Sequence, residues 1–377
     1  MDVPTVDLAP LARLALLALV VALLPLAWVW LRQRRADTRT RLAALTALTL
    51  FLTFDLIVFG SFTRLSDSGL GCPDWPGCYG EVSPFGARAD IDAAQTAMPS
   101  GPVTWSKAWI EMIHRYLAMT VGVLILVMAA VSWKERRRLP HSPWWPTATL
   151  VWVVVQGLFG KYTVTLKLYP AIVTLHLLGG LLLLALLAVQ HEAYRDRPVA
   201  LAPALRRATG VVLALLLAQV ALGGWVSSNY AVLACTGFPQ CNGAWWPAMD
   251  FAEGFTLLRE LGRAGHGGYL SFEALVAIHW AHRAFAIVVT AALLWLAWRL
   301  RTAGAVPRRF AAALAALTLA QVASGLSNVV LDWPIGAALA HSAGAAALVL
   351  VLTLLLARSR VRSAAPAGAS RVVAATV

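Results

Sequence analysis

Residues 42–62 read LAALTALTLFLTFDLIVFGSF, a run of 21 residues in which Asp55 is the one charged side chain. At 1.5 Å of rise per residue, a helix of this length spans the hydrocarbon core of a bilayer. A helix satisfies its own backbone hydrogen bonds where no water is available. The run therefore predicts a transmembrane helix.

Eight other stretches have the same character, and together they account for most of the chain. The nine predicted spans are 10–31, 42–62, 108–132, 145–165, 170–190, 208–228, 274–298, 310–330 and 335–357. Of the 377 residues 59% are hydrophobic and 13% are charged, and the mean hydropathy is +0.70. This composition excludes an ordinary soluble domain. No basic segment precedes the first stretch, so it is predicted to be a membrane helix and not a signal sequence.

The charges alternate from one side of the predicted membrane to the other. The basic segments on one side are 32–41, 134–138, 191–207, 299–309 and the tail from residue 358. They hold 21 of the 31 Lys and Arg but four of the 18 Asp and Glu, for a net charge of +17 against −4 for the rest. Because positively charged loops stay in the cytoplasm, the N-terminus is predicted outside and the C-terminus inside. The excess positive charge thus reflects the membrane topology, and a nucleic-acid partner is excluded.

The chain contains an internal duplication. In each long outer loop Gly, Cys, Pro, Cys and Gly recur at identical spacing: Gly60, Cys72, Pro76, Cys78 and Gly80, then Gly223, Cys235, Pro239, Cys241 and Gly243. The set Gln156, Gly160 and His176 likewise recurs as Gln321, Gly325 and His341, and EMIHR (111–115) is matched by HWAHR (279–283). We therefore predict an all-α polytopic membrane protein of two repeated four-helix bundles, spans 2–5 and 6–9, plus an extra N-terminal helix. The predicted units are 1–41, 42–190, 191–357 and a cytoplasmic tail, 358–377.

Five histidines fall within the predicted spans, which is unusual because ionisable side chains are costly in lipid and are commonly functional there. Four of them, His114, His176, His282 and His341, lie roughly 9–12 Å below the outer surface at 1.5 Å of rise per residue. Two imidazoles from two helices at one depth are the ligand set of a bis-histidine haem. Interhelical hydrogen bonding is the alternative role.

The residues beside these histidines differ between the halves. Glu111 precedes His114 by three residues and shares its helix face, whereas His279 occupies the matching place in the second half. A carboxyl group beside a haem can move protons, so the asymmetry predicts a reactive first site and an electron-storing second site. The alternatives are that Glu111 pairs with Arg115 and that His279 only packs. Arg115 and Arg283 are candidates for holding haem propionates or for snorkelling to headgroups.

All four cysteines lie in C-x5-C pairs on the outer side. An oxidising periplasm would make each pair a disulfide, Cys72–Cys78 and Cys235–Cys241. Either a structural or a redox role fits the pattern. A zinc site does not, since no histidine lies within a few residues of either pair.

Four segments together resemble the haem A synthases of aerobic bacteria and mitochondria: RLSDSGLGCPDWPGC (64–78), EMIHR (111–115), HR (282–283) and LAHSAG (339–344). The resemblance covers about residues 42–357 and fits the bacterial subtype with cysteine pairs in both outer loops. The family commonly has eight spans, so the first span is extra.

The resemblance implies an oxidoreductase that converts haem O into haem A by oxidising the C8 methyl group to a formyl group through hydroxylated intermediates. His114 and His176 would face the substrate haem, His282 and His341 would ligate a haem b cofactor, and Glu111 would match the essential acid. It also implies a bacterial inner-membrane location with periplasmic cysteine loops. The implied partners are a haem O synthase (a farnesyltransferase) and a haem-copper oxidase under assembly, and a homo-oligomer is a further expectation.

Three other functions compete with this one. A dihaem cytochrome b that only carries electrons explains the histidines but gives Glu111 no task. A periplasmic thiol–quinone oxidoreductase explains the cysteines but not the histidine register, and such enzymes favour C-x-x-C over C-x5-C. A transporter built of repeats has little support, because no broken helix is evident.

Overall fold

The computed structural model describes residues 9–139 and 141–360, and the described chain is almost entirely helical. The helices are α1 Ala9–Arg32, α2 Thr38–Leu65, α3 Arg88–Ala97, α4 Trp105–Lys134, α5 Trp144–Thr165, α6 Pro170–Arg195, α7 Pro203–Ser228, α8 Phe251–Gly254, α9 Phe272–Leu300, α10 Ala305–Val330 and α11 Ile335–Arg358. A 3-10 turn, Ala231–Leu233, follows α7. Two short strands, β1 Val199–Ala200 and β2 Ser359–Arg360, pair in parallel.

Eight helices in the described part of the chain are long and apolar enough to cross a membrane. The predicted all-α, multi-pass membrane fold is confirmed, and each of the nine predicted spans is a helix. Among the nine predicted spans, the one outside this set of eight is α5, a continuous helix of 22 residues that contains Gln156 and Lys161. It packs against α4 and α6 as a member of the first bundle.

Local chemistry explains where several helices begin. Asp37, Thr104 and Ser271 cap α2, α4 and α9 by accepting a hydrogen bond from a backbone N–H three residues on. Pro170 and Pro203 occupy the first turn of α6 and α7, where a missing N–H costs nothing. These caps and prolines place the helix starts within a few residues of the predicted spans.

The buried threonines of α2 show how polar side chains are accommodated inside this bundle. Thr46, Thr49 and Thr53 donate to carbonyl oxygens four residues earlier, at 2.7–2.8 Å. Each hydroxyl is therefore satisfied within its own helix, and the span stays compatible with an apolar environment.

The two halves have the same arrangement. In the first, α2, α4, α5 and α6 form a closed ring of neighbours, and in the second α7, α9, α10 and α11 do the same. The halves join where α2 and α6 pack against α7 and α11, and one hydrophobic core contains buried residues of both.

The extra helix, α1, packs on α4 and α2 of the first half. Near its N-terminal end Leu14 is fully buried in a cluster with Cys72, Cys78 and Met112. It therefore packs against the first cysteine loop. Residues 361–377 of the predicted tail lie outside the described residues.

Candidate haem site

The four intramembrane histidines lie on four helices, two in each half. His114 and His176 come nine and six residues after the starts of α4 and α6, and His282 and His341 come ten and six residues after the starts of α9 and α11. The helices that carry His114 and His176 belong to one ring of packed helices, and those that carry His282 and His341 belong to the other. Each predicted pair therefore lies within one bundle.

Each of these rings lies against a glycine of the neighbouring helix. A Cβ on Gly60 would stand 2.9 Å from His114 Nε2, and one on Gly160 would stand 3.6 Å from His176 Cε1. In the second half the corresponding distances are 3.0 Å from Gly223 to His282 Cε1 and 2.9 Å from Gly325 to His341 Cε1. At Gly60, Gly223 and Gly325 a side chain would press on the ring, whereas at Gly160 a Cβ would be in ordinary van der Waals contact. Three of the four glycines therefore make room for the imidazoles beside them.

Hydrogen bonds reach the rings of the second half. The His341 Nδ1 lies 3.1 Å from Gln321 O and 3.1 Å from Ser324 Oγ. The Gln219 Nε2 lies 3.0 Å from His282 Nδ1 and donates to the His282 carbonyl oxygen at 3.0 Å. Sequence analysis did not single out Ser324. Its position three residues after Gln321, on the same helix face, is the signal that could have identified it.

Glu111 is buried, and its two carboxylate oxygens bind the first cysteine loop and Arg115 of its own helix. Its Oε2 accepts from the Cys72 N–H at 2.8 Å, and its Oε1 pairs with Arg115 Nη2 at 2.5 Å. The Arg115 guanidinium also donates to the carbonyl oxygens of Pro76 and Gly77. The ion pair between Glu111 and Arg115 that the sequence left open is therefore present, and it ties α4 to the Cys72–Cys78 loop.

The second half repeats this arrangement without a carboxylate. His279 replaces Glu111, and Arg283 Nε donates to His279 Nε2 at 3.2 Å. Arg283 donates further to the carbonyl oxygens of Cys235 (2.6 Å) and Gly237 (2.9 Å) in the second cysteine loop. The two arginines thus hold equivalent loops. The partners of the two arginines differ: Arg115 donates to the carboxylate of Glu111, whereas Arg283 donates to the imidazole of His279.

The two predicted disulfides, Cys72–Cys78 and Cys235–Cys241, are both present. Cys72 and Cys78 are 0% exposed, and Cys235 and Cys241 are 2% and 3% exposed. Exchange with an external thiol requires access to a sulfur atom. The burial therefore weighs against the thiol–quinone oxidoreductase and favours a structural role for both bridges.

A polar bridge that sequence analysis missed joins the outer ends of the two halves. Arg64 donates to Ser227 O at 2.5 Å and lies 3.9 Å from the centre of the Tyr230 ring. The Tyr230 hydroxyl donates to Asp67 Oδ1 at 2.7 Å. Burial raises the pKa of Tyr230, Arg64 lowers it, and the bond to Asp67 raises it further. Arg64 and Asp67 both lie in the motif 64–78, which is the signal that pointed to this region.

These residues fit a haem in each half. Two imidazoles and two glycines line each site, and the buried Nδ1 of His176 has no partner within the described chain. Over the same residues no group of three or more His, Cys, Asp or Glu is placed to hold a metal ion directly. A paired-histidine set is what an iron already held in a porphyrin needs.

The chain is also similar to known proteins. A family model described as cytochrome oxidase assembly protein matches residues 43–353. A Shewanella oneidensis protein named heme A synthase is 39% identical over 311 residues, covering 81% of this chain and 93% of its own. Proteins of the same name from Caulobacter vibrioides (28% over 337 residues; 83% and 94%) and Shouchella clausii (28% over 301 residues; 77% and 86%) are also similar.

Proposed function

This chain belongs to the family of cytochrome oxidase assembly proteins, and we propose that it is an oxidoreductase of haem A biosynthesis. It takes haem O as substrate and yields haem A, by oxidising the C8 methyl group to a formyl group through hydroxylated intermediates. The observation that carries the proposal is the fourfold recurrence of an intramembrane histidine against a glycine of the next helix, in one pair per half.

The two pairs have different tasks in this proposal. His114 and His176 hold the substrate haem in the first half, and His282 and His341 hold a haem b in the second. When bound, haem b supplies a redox centre that can accept electrons. The glycines beside the rings leave space for each imidazole next to the neighbouring helix, so packing restrains the position of the ring.

Glu111 is the proposed proton acceptor of the oxidation, because it is the carboxylate beside a ligand pair and its second-half counterpart is His279. Oxidising a methyl group to a formyl group releases protons, and a carboxylate oxygen can take one. A proton at Oε1 would displace the Arg115 hydrogen bond, and one at Oε2 would displace that of Cys72. Proton uptake is therefore linked to the position of the Cys72–Cys78 loop.

Arg115 and Arg283 are proposed to anchor the haem propionates. A guanidinium has five N–H donors in a fork. In Arg115 the observed bonds use Nη1 and Nη2, which leaves Nε–H available to a carboxylate. Because both arginines also hold a cysteine loop, the loops become the outer wall of the haem sites.

The proposed setting is the bacterial inner membrane. The basic segments place the C-terminus in the cytoplasm and the cysteine loops in the periplasm, where disulfides persist. The substrate implies a haem O synthase as supplier, and the product implies a haem-copper terminal oxidase as recipient. Assembly as a homo-oligomer is part of the same proposal.

Haem analysis in a host that makes haem O but no haem A tests the function. Membrane haems are extracted, separated by chromatography and identified by mass, with and without the expressed protein. We expect haem A or hydroxylated haem O with the wild-type chain. Haem b bound to the protein with unmodified haem O would instead support the dihaem electron carrier, and a protein without any haem would contradict both.

Replacing Glu111 with Gln tests the assigned acid in the same host. The variant should retain haem b, because Glu111 belongs to the other half, and should lose product formation. Haem A at the wild-type level in Glu111→Gln would refute the assigned role while leaving the overall reaction intact.

A further inference from the structure

The second-half histidines are held by hydrogen bonds that have no counterpart in the first half. His341 Nδ1 meets the Gln321 carbonyl oxygen and the Ser324 hydroxyl, each at 3.1 Å. The Gln321 amide also donates to the His341 carbonyl oxygen at 3.0 Å. The ring and the backbone of this histidine are therefore both tied to α10.

His282 is held in a similar way from α7. The Gln219 side chain lies 3.0 Å from His282 Nδ1 and donates to His282 O at 3.0 Å. The amide nitrogen faces both ring nitrogens, at 3.0 Å from Nδ1 and 3.4 Å from Nε2, so this contact restrains the position of the His282 ring without selecting a tautomer. Gln219 stands one turn before Gly223, the glycine against which the ring packs.

The first half lacks each of these contacts, although its four helices have the same arrangement as those of the second half. By the repeat spacing Leu56 stands in the place of Gln219, and Phe159 in the place of Ser324. Gln156, the counterpart of Gln321, has both side-chain polar atoms buried without a partner, and so has the Nδ1 of His176. The His114 ring has a stacking contact with Phe59 but no hydrogen bond within the described chain.

A hydrogen bond at Nδ1 has a known consequence for a metal-binding histidine. Where Nδ1–H donates, as that of His341 does to the Gln321 carbonyl oxygen and to Ser324, the bond fixes the tautomer and the ring orientation and leaves Nε2 for the metal. Loss of such a bond typically costs roughly 10- to 100-fold in metal affinity. Imidazoles without such a bond hold their ligand less firmly and release it more readily.

We propose that Gln219 and Ser324 are positioning residues that make the second half the permanent haem site, and that their absence makes the first half the exchangeable one. This inference rests on the proposed function and deepens it, because a substrate haem has to enter and leave while a cofactor stays. It explains why the halves differ at two matching positions, Leu56 against Gln219 and Phe159 against Ser324, while all four histidines and their glycines are present.

Haem transfer measures this difference without any need for turnover. The full chain is produced in a host without haem O, purified in detergent and mixed with excess apomyoglobin, and the transfer of haem b is followed by absorbance. We expect Ser324→Ala and Gln219→Leu to release haem b about 10-fold faster than the wild type. The low-spin electron paramagnetic resonance signal of the remaining haem should also shift, since the orientation of its imidazoles changes.

Matched variants separate positioning from general damage to α10. Ser324→Thr keeps the hydroxyl and should restore slow release. Ser327→Ala removes a hydroxyl from the same helix whose hydrogen bond, over the described residues, goes to the Ala323 carbonyl oxygen, and it should release haem b at the wild-type rate. Faster release from Ser327→Ala, or no recovery in Ser324→Thr, would overturn the assignment of Ser324.

The failures of the two ideas are distinguishable. A wild-type chain that binds haem b, with unchanged release and spectra in Ser324→Ala and Gln219→Leu, would overturn this inference and leave the proposed function standing. A wild-type chain that holds haem b firmly but forms no haem A from haem O would contradict the proposed function alone. A wild-type chain that binds no haem would contradict both.

Discussion

Removing the charge of Glu111 should destabilise the fold, and removing its partner's charge as well should restore part of the loss. The side chains of Glu111 and Arg115 are 5% and 10% exposed, and their atoms Oε1 and Nη2 are 2.5 Å apart. Breaking a buried pair by deleting one partner leaves an uncompensated charge, at about 3 kcal/mol. Because glutamine can still accept from the Cys72 N–H, Glu111→Gln should lie at that lower end of the range.

The double variant Glu111→Gln/Arg115→Gln removes both charges. It also loses the arginine's bonds to Pro76 and Gly77, which contribute about 1 kcal/mol each. We therefore expect the double variant to be about 2 kcal/mol less stable than the wild type, and more stable than Glu111→Gln alone. Unfolding in mixed micelles, followed by tryptophan fluorescence, measures these free energies.

The same variants separate stability from chemistry. If Glu111 accepts the proton, the double variant recovers stability but not haem A formation. Additive losses, with the double variant less stable than both Glu111→Gln and Arg115→Gln, would refute the ion-pair argument. Recovery of haem A together with stability would show that Glu111 serves only to hold the first cysteine loop.

Three further predictions follow from the described contacts. Gly325→Ala should weaken haem b retention about 10-fold, because the new Cβ would stand 2.9 Å from His341 Cε1. This loss is expected although alanine favours a helix by about 1 kcal/mol over glycine. The haem content per chain measures the retention. Replacing the Cys72–Cys78 pair with serines should cost about 2 kcal/mol of unfolding free energy, since the bridge closes a loop of six-residue separation; the micelle assay reports it. The pKa of Tyr230 is raised in the fold above its ordinary 10.0, so the folded protein binds this proton more tightly than the unfolded chain. The contribution of Tyr230 to the free energy of unfolding is therefore complete below pH 10 and declines as the pH rises through the folded pKa. Tyr230→Phe should remove that alkaline decline in the unfolding temperature.

Each of these has a control within the chain. A Cβ on Gly336 meets nothing within 4 Å, so Gly336→Ala should leave haem content unchanged, and an equal loss there would contradict the packing argument. Replacing the Cys235–Cys241 pair should cost a similar free energy, because its separation is also six residues. An unchanged alkaline decline in Tyr230→Phe would assign it to another group.

The spans and the repeat could be predicted because they depend on local and periodic features of the sequence. Apolar runs the length of a bilayer specify helices wherever they are placed, and two copies of one pattern specify two similar bundles. The histidine register could also be predicted, since His114 and His282 stand in matching motifs (EMIHR and HWAHR) and His176 and His341 follow Gln156 and Gln321 at identical spacing. The shorter helices α3 and α8 went unpredicted, because they lie in polar loops without a strong period.

The side-chain partners could not be predicted in the same way. Glu111 had two roles open to it until α4 was seen to hold the Cys72–Cys78 loop through Arg115. Arg64, Asp67 and Tyr230 lie far apart in the sequence, and nothing in its periodicity indicates that they meet.

Sequence alone thus determined the membrane setting, the duplicated helical architecture, the cysteine pairs and the histidine register. All of these follow from hydrophobicity, spacing and charge along one dimension. Only the tertiary structure decided which hydrogen-bond donor pairs with which acceptor. The hydrogen bonds of Ser324 to His341 and of Gln219 to His282 cross between helices. Whether a donor finds an acceptor there depends on helix rotation and depth within a fraction of an ångström, which no pattern of residue types encodes.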